Sequence, residues 1–392
     1  MRKIDVNSKV KANLSIQKDA EEYVVGSTLN NVYIRVPEEA IIVINHLNGS
    51  LTIKEVIENI HKEEKLDIDV LDFVNSLNEL DLLTEINGKV LHPTFEVKKQ
   101  NRKLIILSNI LFNRITNSLY LLMFLSSLII FATRSDLIPT YHDILVFDSS
   151  GLSLLSVTLL TWLLTFFHES GHFFSTSKLG IPVKFSLSLR MYWLVVQADV
   201  SGLWSVSQRE RYVPYLAGMA FDAVVLFISL LIRILFPTVI PDFFALLTLL
   251  VTLTFGFHCL IFLRTDIYYV IMNAFNIPSL HDYAIDFLKS LIRKSHTSSL
   301  YMLSKRENVF VKCYSAIYVL GSIFALFLLA FYSLPSSILI IQNTLYQLID
   351  SQPNSYTFID GIITLVIILI NVGLWLFGAF SKYKSSPVQV KS

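Results

Sequence analysis

The chain has 392 residues, 53% of them hydrophobic and only 16% charged, and its mean hydropathy is +0.56. Soluble domains carry about a quarter charged residues, so this composition excludes an ordinary soluble protein, and the formal net charge of +1 makes no electrostatic case for nucleic acid as a partner. Cys259 and Cys313, the two cysteines, both lie in apolar runs, which leaves no disulfide framework and no set of ligands for a cysteine-based zinc site.

The first ~95 residues are polar and mixed, with no cleavable signal peptide, and the amino terminus is expected to stay in the cytosol. A small domain is expected over 1–95. Within it 23–25 and 32–36 are β-rich, and helical patterns follow over 38–47, 53–61 and 69–80. Leu47-Asn48-Gly49 reads as a helix stop, and Thr52 and Glu55 have capping-box spacing. Asn87-Gly88, inside 83–91, is a favoured hairpin turn. Strands, helices and hairpin in this order make an α+β winged-helix-like pattern. DNA-binding domains share it, but the last helix carries Asp69, Asp72, Glu79 and Asp81 and no Lys or Arg. Such a helix is a poor partner for phosphates, and no nucleic acid is expected. Residues 96–116 read as a linker.

An α-helical polytopic membrane domain is expected over 117–381, with a short cytosolic tail at 382–392. Six apolar runs, at 117–133, 153–175, 213–236, 243–263, 310–334 and 358–380, approach the ~20 residues that cross a ~30 Å hydrocarbon core. A further run, 337–348, reads as an interfacial helix or a seventh span. Basic residues gather on alternate loops: Lys178, Lys184, Arg190, Arg209 and Arg211 after the second run, and Arg264, Lys289, Arg293, Lys294, Lys305 and Arg306 after the fourth. Loop 335–357 has no Lys or Arg, and the tail has Lys382, Lys384 and Lys391. The positive-inside rule then puts both termini in the cytosol of a multi-pass cell-membrane protein, and the Lys-, Asn- and Ile-rich usage points to a bacterial source.

Inside the second run stands Phe166-Phe167-His168-Glu169-Ser170-Gly171-His172. Residues four apart share a helical face, so His168 and His172 can present two imidazoles to one zinc ion. Glu169 is placed to take a proton from a water whose pKa zinc lowers toward ~7 and to pass it to a leaving amine. Ionisable residues within one membrane helix are costly and mark function; the alternative is two histidines bonding to neighbouring helices. A catalytic zinc takes a third protein ligand. Asp266, expected at the inner end of the fourth helix and at the depth of the histidines, is a candidate; otherwise it is an interfacial Asp paired with Arg264. His258, two helical turns before Asp266, is expected to lie too far away to share its zinc, and reads either as a hydrogen-bond partner of substrate or outer groups or as a packing histidine. Residues 183–195 alternate with a period of two, which predicts a strand. Leu187 and Leu189 on it are candidates for holding an extended substrate at the cytosolic membrane surface; the alternative is an interfacial hairpin that only packs.

These residues resemble the site-2 protease family of intramembrane zinc metalloproteases. The resemblance covers most of 153–276 and rests on His168–His172, on Tyr215-Leu216-Ala217-Gly218-Met219-Ala220-Phe221-Asp222, similar to the family's Ala-Gly-Pro segment with a following Asn, and on Leu263–Tyr269, similar to its Leu-Asp-Gly segment. It implies zinc ligands His168, His172 and Asp266, with Glu169 as general base, and it puts Asp222 and His258 among residues that hold substrate. Met219, Asp222, Ile267 and His258 depart from the family's usual Pro, Asn, Gly and Asn. Arg264-Thr265-Asp266-Ile267-Tyr268-Tyr269, with Trp204 and Arg209–Tyr212, looks most like a bacterial branch described as peptide zinc metalloproteases, whose members are often associated with modified-peptide or bacteriocin systems. The first domain looks like the leader-peptide recognition domains of such systems, which add an extended leader to a sheet edge. The implied function is hydrolysis of a peptide bond at the cytosolic membrane face, in a small ribosomal peptide precursor or a membrane peptide. The implied partners are that peptide, the lipid bilayer, and peptide-modification or export proteins. A non-proteolytic membrane protein for peptide binding, export or immunity is the alternative. Regulated cleavage of a signalling protein fits less well, because the loops expected outside are short.

Overall fold

The computed structural model describes residues 4–19, 22–27, 32–64, 66, 68–91, 101–277, 279–293 and 303–384. The expectations for 1–3, 92–95 and 96–100, and for Lys294 and the tail residue Lys391, lie outside these residues.

The amino-terminal part starts with β1 (Lys9–Lys11), β2 (Ser15–Asp19), β3 (Glu22–Ser27) and β4 (Val32–Val36). Then come α1 (Glu38–His46), β5 (Asn48–Thr52), α2 (Ile53–Glu63), α3 (Val70–Glu79), β6 (Glu85–Ile86) and β7 (Lys89–Val90). Strands β2-β3-β4 make one antiparallel sheet and β5-β1-β6-β7 a second. Short polar β1, β2 and β5 carry no apolar alternation, and their pairing is a tertiary effect. The local signals are direct. Thr52 Oγ1 accepts from the Glu55 N–H while Glu55 accepts from the Thr52 N–H at 2.7 Å, which starts α2 and holds the Glu55 carboxyl below its ordinary range. Asn87 and Gly88 take φ of 52° and 74°, the two left-handed positions of a tight hairpin.

The sheet β2-β3-β4 is covered on both faces. Val25, Ile34 and Val36 join the core under α1, α2 and α3. Val24 and Tyr33 turn the other way, against Trp204, Tyr268, Met272 and Tyr314.

Residues read as linker contain a helix, α4 (Arg102–Leu111), started by Asn101, whose side chain accepts from the Lys103 N–H. There follow α5 (Arg114–Thr133), α6 (Ser150–Lys178), the hairpin β8 (Lys184–Arg190) and β9 (Trp193–Asp199), α7 (Gln208–Leu235), α8 (Pro241–His258), α9 (Asp266–Phe275), α10 (Leu280–Arg293), α11 (Lys305–Leu328), α12 (Leu334–Ile349) and α13 (Tyr356–Lys384). Six helical stretches are long and apolar enough to cross a membrane. Their outer faces expose residues such as Leu122, Ile129, Leu369 and Ile370, the kind of surface lipid covers and water does not.

Run 337–348 forms the helix α12 (Leu334–Ile349), which α11 enters through a π turn (Leu329–Ser333), the whole making one stretch of 45 residues. One expectation is corrected. The fourth helix stops at His258, and Asp266 opens a new helix instead of ending the old one. Between them the chain makes a short 3-10 turn (Ile261–Leu263) and Arg264 takes a φ of 57°.

The first turn of α6 is capped from α13. The Asp360 carboxylate accepts from the Ser149 and Ser150 hydroxyls, the Gly151 N–H at 2.8 Å and the Gln347 amide at 3.2 Å. An Asp360→Ala chain should therefore be less stable by about 1–2 kcal/mol, the cost of a lost helix cap. Thermal unfolding in detergent reads this, and an unchanged midpoint would show the cap to be idle.

Candidate metal centre

The inward stripe of α6 is polar where a membrane helix would ordinarily carry Leu or Ala. Leu164, His168, His172 and Ser175 are all buried on it, with Glu169 and Gly171 beside them. His168 Nε2 and His172 Nε2 stand 3.2 Å apart. Asp266 Oδ2 stands 3.1 Å from the first and 3.2 Å from the second. The ion contacts of Asp266 are thus with imidazoles and not with Arg264.

The other ring nitrogens fix what these atoms are. His172 Nδ1 meets the Pro214 carbonyl at 2.8 Å. A carbonyl only accepts, so that nitrogen carries the proton. His168 Nδ1 meets the Asp222 carboxylate at 2.7 Å, which likewise accepts. With both Nδ1 atoms donating, both neutral imidazoles aim an Nε2 lone pair at the same point, and Asp266 Oδ2 adds a third. Asp266 Oδ2 is buried without a hydrogen-bond partner among the described residues. Three lone pairs in contact repel unless a cation lies between them. Tetrahedral zinc ligands at 2.0–2.1 Å from the ion stand about 3.3 Å from one another, which these separations match. The residues fit zinc.

Two other groupings of buried side chains come close enough to hold a metal, His168 with Asp222 and His258, and His168 with Glu169 and His172. Asp222 is better explained as the carboxylate that orients a ligating histidine through its far nitrogen, because 2.7 Å is a hydrogen bond and too short for two ligands of one ion. Glu169 is engaged elsewhere: its carboxylate accepts from the Ala198 N–H at 2.6 Å. It stands beside the three converging atoms as a base free of ligand duty.

Asp222, expected against substrate, instead holds His168 and is buried; its helix α7 packs on α6, so its carboxylate meets the ring and not a groove. His258, expected out of reach, has Nδ1 3.7 Å from Asp266 Oδ2. The expected distance assumed one continuous helix, and the broken segment folds Asp266 back beneath it. The His258 ring lies parallel to His168, centroids 4.6 Å apart and planes within 9°. Two stacked rings cannot aim their lone pairs at one ion, so His258 Nδ1, also buried without a partner among the described residues, faces an atom beside the metal. Leu189 packs toward α13, where a Cβ on Gly378 would lie 3.6 Å from it, and Leu187 stands two residues before it on the same strand. The strand that meets the site is β9, because Ala198 on it binds Glu169.

Four positions have roles that sequence reasoning does not give. Arg190 on β8 donates to the carbonyls of Leu263 and Arg264, which pins the turn that delivers Asp266; Thr265 Oγ1 donates to the His258 carbonyl at 2.6 Å. Gly171 and Gly218 let α6 and α7 touch: a Cβ on Gly171 would lie 2.5 Å from the Ala217 carbonyl oxygen, and one on Gly218 would enter the His168 ring. Small residues at such crossings are the membrane-helix signal that could have found them.

An Asp222→Asn chain should hold its metal 10–100-fold more weakly, the usual effect of losing an outer carboxylate. Competition against a chelator measures this; an unchanged affinity would remove Asp222 from the site.

No protein family, curated protein or solved structure matches this chain. The class rests on its own geometry, a helical chain with six apolar spans' worth of helix and a buried His-His-Asp cluster that fits a metal ion.

Proposed function

We propose that this protein is an intramembrane zinc metalloprotease that cuts a peptide at the cytosolic membrane face. One observation carries the reading: three lone-pair atoms of His168, His172 and Asp266 converge at 3.1–3.2 Å, next to a carboxylate, Glu169, that ligates nothing. A zinc ion held there supplies Lewis acidity and lowers the pKa of water. Glu169 takes the proton from the attacking water and returns it to the departing amine. His258 Nδ1, 3.7 Å from Asp266 Oδ2 and without a partner among the described residues, is placed to donate a hydrogen bond to the reacting carbonyl.

Substrate enters extended along β9. Ala198 sits opposite Phe185 in the hairpin, and its N–H turns away from β8 to reach Glu169. In an antiparallel ladder every second residue shares that orientation, so Val196 and Leu194 also present outward backbone groups. An unwound peptide paired there runs past the base. The basic loops support a cytosolic position for this face and for both termini. The amino-terminal domain, winged-helix-like in order, fits recognition of a leader on a small ribosomal precursor.

The test uses the purified full chain in detergent with candidate peptides encoded beside its gene. Metal content is measured together with cleavage before chelation, after it, and after zinc is restored. About one zinc per chain and cleavage that is lost and regained with the metal support the reading. Zinc without cleavage of any candidate favours peptide binding, export or immunity. A chain that takes up no metal returns the histidines to helix packing.

A further inference from the structure

The sheet face that carries Val24 and Tyr33 leans on the metal-site elements through charged and polar side chains that would not be buried without cause. Arg211, in the first turn of α7, is fully buried. Its Nε donates to the carbonyls of Leu203 at 3.1 Å and Val206 at 3.0 Å. Its Nη1 pairs with Asp19 Oδ2, at the end of β2, at 3.2 Å, and its guanidinium lies 4.4 Å from the centre of the Trp204 ring. Arg35 on β4 donates to the Asn276 carbonyl at 3.1 Å and to its side-chain oxygen at 2.6 Å. Asn276 is the left-handed residue that ends α9. Between them Asn273 and Gln208 exchange side-chain-to-backbone bonds at 2.6 and 2.9 Å, which ties α9 to α7. Tyr33 is buried over the turn at Ser201–Ser205, which continues from β9.

Each element gripped this way ends at the metal centre. Helix α9 begins with Asp266. Helix α7 carries Pro214, Gly218 and Asp222, which orient His172, admit His168 and orient His168. Strand β9 carries the Ala198 N–H on Glu169. A buried ion pair is weak as a source of stability, but removing one partner leaves an uncompensated buried charge, so the sheet cannot leave Arg211 without cost.

We propose that Asp19 and Arg35 are positioning residues of the metal centre, and that docking of the amino-terminal sheet sets metal affinity although this domain contributes no ligand. The coupling rests on the metal reading above. It is reciprocal: whatever binds the sheet and loosens its docking weakens the metal, and metal binding favours docking.

The experiment uses full-length wild type, Asp19→Ala and Arg35→Ala in detergent. Arg35 lies at the interface edge, so its variant keeps the test alive if Asp19→Ala fails to fold. Hydrogen exchange is followed in three segments: 53–79, reporting whether the domain itself is folded; 15–36, reporting docking; and 266–276, reporting α9. Zinc affinity is measured by chelator competition. The expected result is unchanged protection at 53–79, faster exchange at 15–36 and 266–276, and zinc held about tenfold more weakly, as for loss of other groups behind metal ligands. Lost protection at 15–36 with α9 exchange unaltered and affinity within twofold of wild type overturns the proposal. If wild type binds no zinc, the metal reading falls by that result alone, and exchange at 266–276 decides the coupling.

Discussion

Gly218→Ala is expected to bring metal content from about one ion per chain to near none while the helices stay assembled. The added Cβ would enter the His168 imidazole. That ring cannot swing aside, because Asp222 holds its far nitrogen at 2.7 Å and His258 lies parallel against one face. Nor can the helices part freely, since Gly171 has the α7 backbone against it. Overpacking of this kind typically costs 1–3 kcal/mol, less than the roughly 5–15 kcal/mol that ordinarily holds a fold together. It is enough to displace one of the three converging atoms, and an imidazole moved by one ångström no longer completes the cluster. Metal analysis and thermal unfolding on the same preparation separate the outcomes. Full zinc in Gly218→Ala would mean that His168 is not the ligand described.

The fold and the site were legible in the sequence to different depths. His168 and His172 depend only on the pitch of one helix, so their spacing carries to the structure whatever packs around them. The same is true of the Thr52–Glu55 cap and the Asn87-Gly88 turn, each set by two nearby residues. Asp266 was legible as a residue but not as a place. The break from 259 to 265 has no Gly or Pro to announce it, and Arg264 is held at positive φ by contacts from Arg190, 74 residues away in the chain. Pattern reading along a chain does not see such a bond. The period of two over 183–195 reads as a strand, with a hairpin as the alternative; the hairpin is what forms, and its turn at Met191, with a φ of 55°, has no turn residue to announce it. One signal was present and unused. Strands β3 and β4, with Tyr23-Val24-Val25 and Val32-Tyr33-Ile34, are apolar in succession, and such runs belong to strands covered on both faces. That pattern marks the second face, the one that docks on α9, before any coordinate is known. Arg211 gave no such sign, since a buried arginine and a loop arginine look alike in sequence.

Glu169→Gln is expected to keep its metal and lose cleavage by about 10²–10⁴-fold, the range for a general acid–base. The metal stays because none of the three converging atoms belongs to Glu169. The local structure stays because a glutamine oxygen still accepts from the Ala198 N–H. What disappears is a carboxylate beside the converging atoms that is free to move a proton, so the loss falls on turnover and not on substrate affinity. A second substitution tells chemistry from position. Ala198→Pro removes the N–H that holds Glu169 at 2.6 Å and leaves the carboxylate itself, and that N–H takes no part in the β8–β9 ladder. Misplacement of a catalytic group by about 1 Å can cost ~100-fold, so Ala198→Pro should cut turnover by about that factor with metal content intact. The two losses should not multiply: once Glu169 is Gln, a proline at 198 has no base left to misplace. A double variant no worse than Glu169→Gln alone would place Ala198 on the same step as the base. One that loses a further ~100-fold would instead give the β9 edge its own contact with substrate.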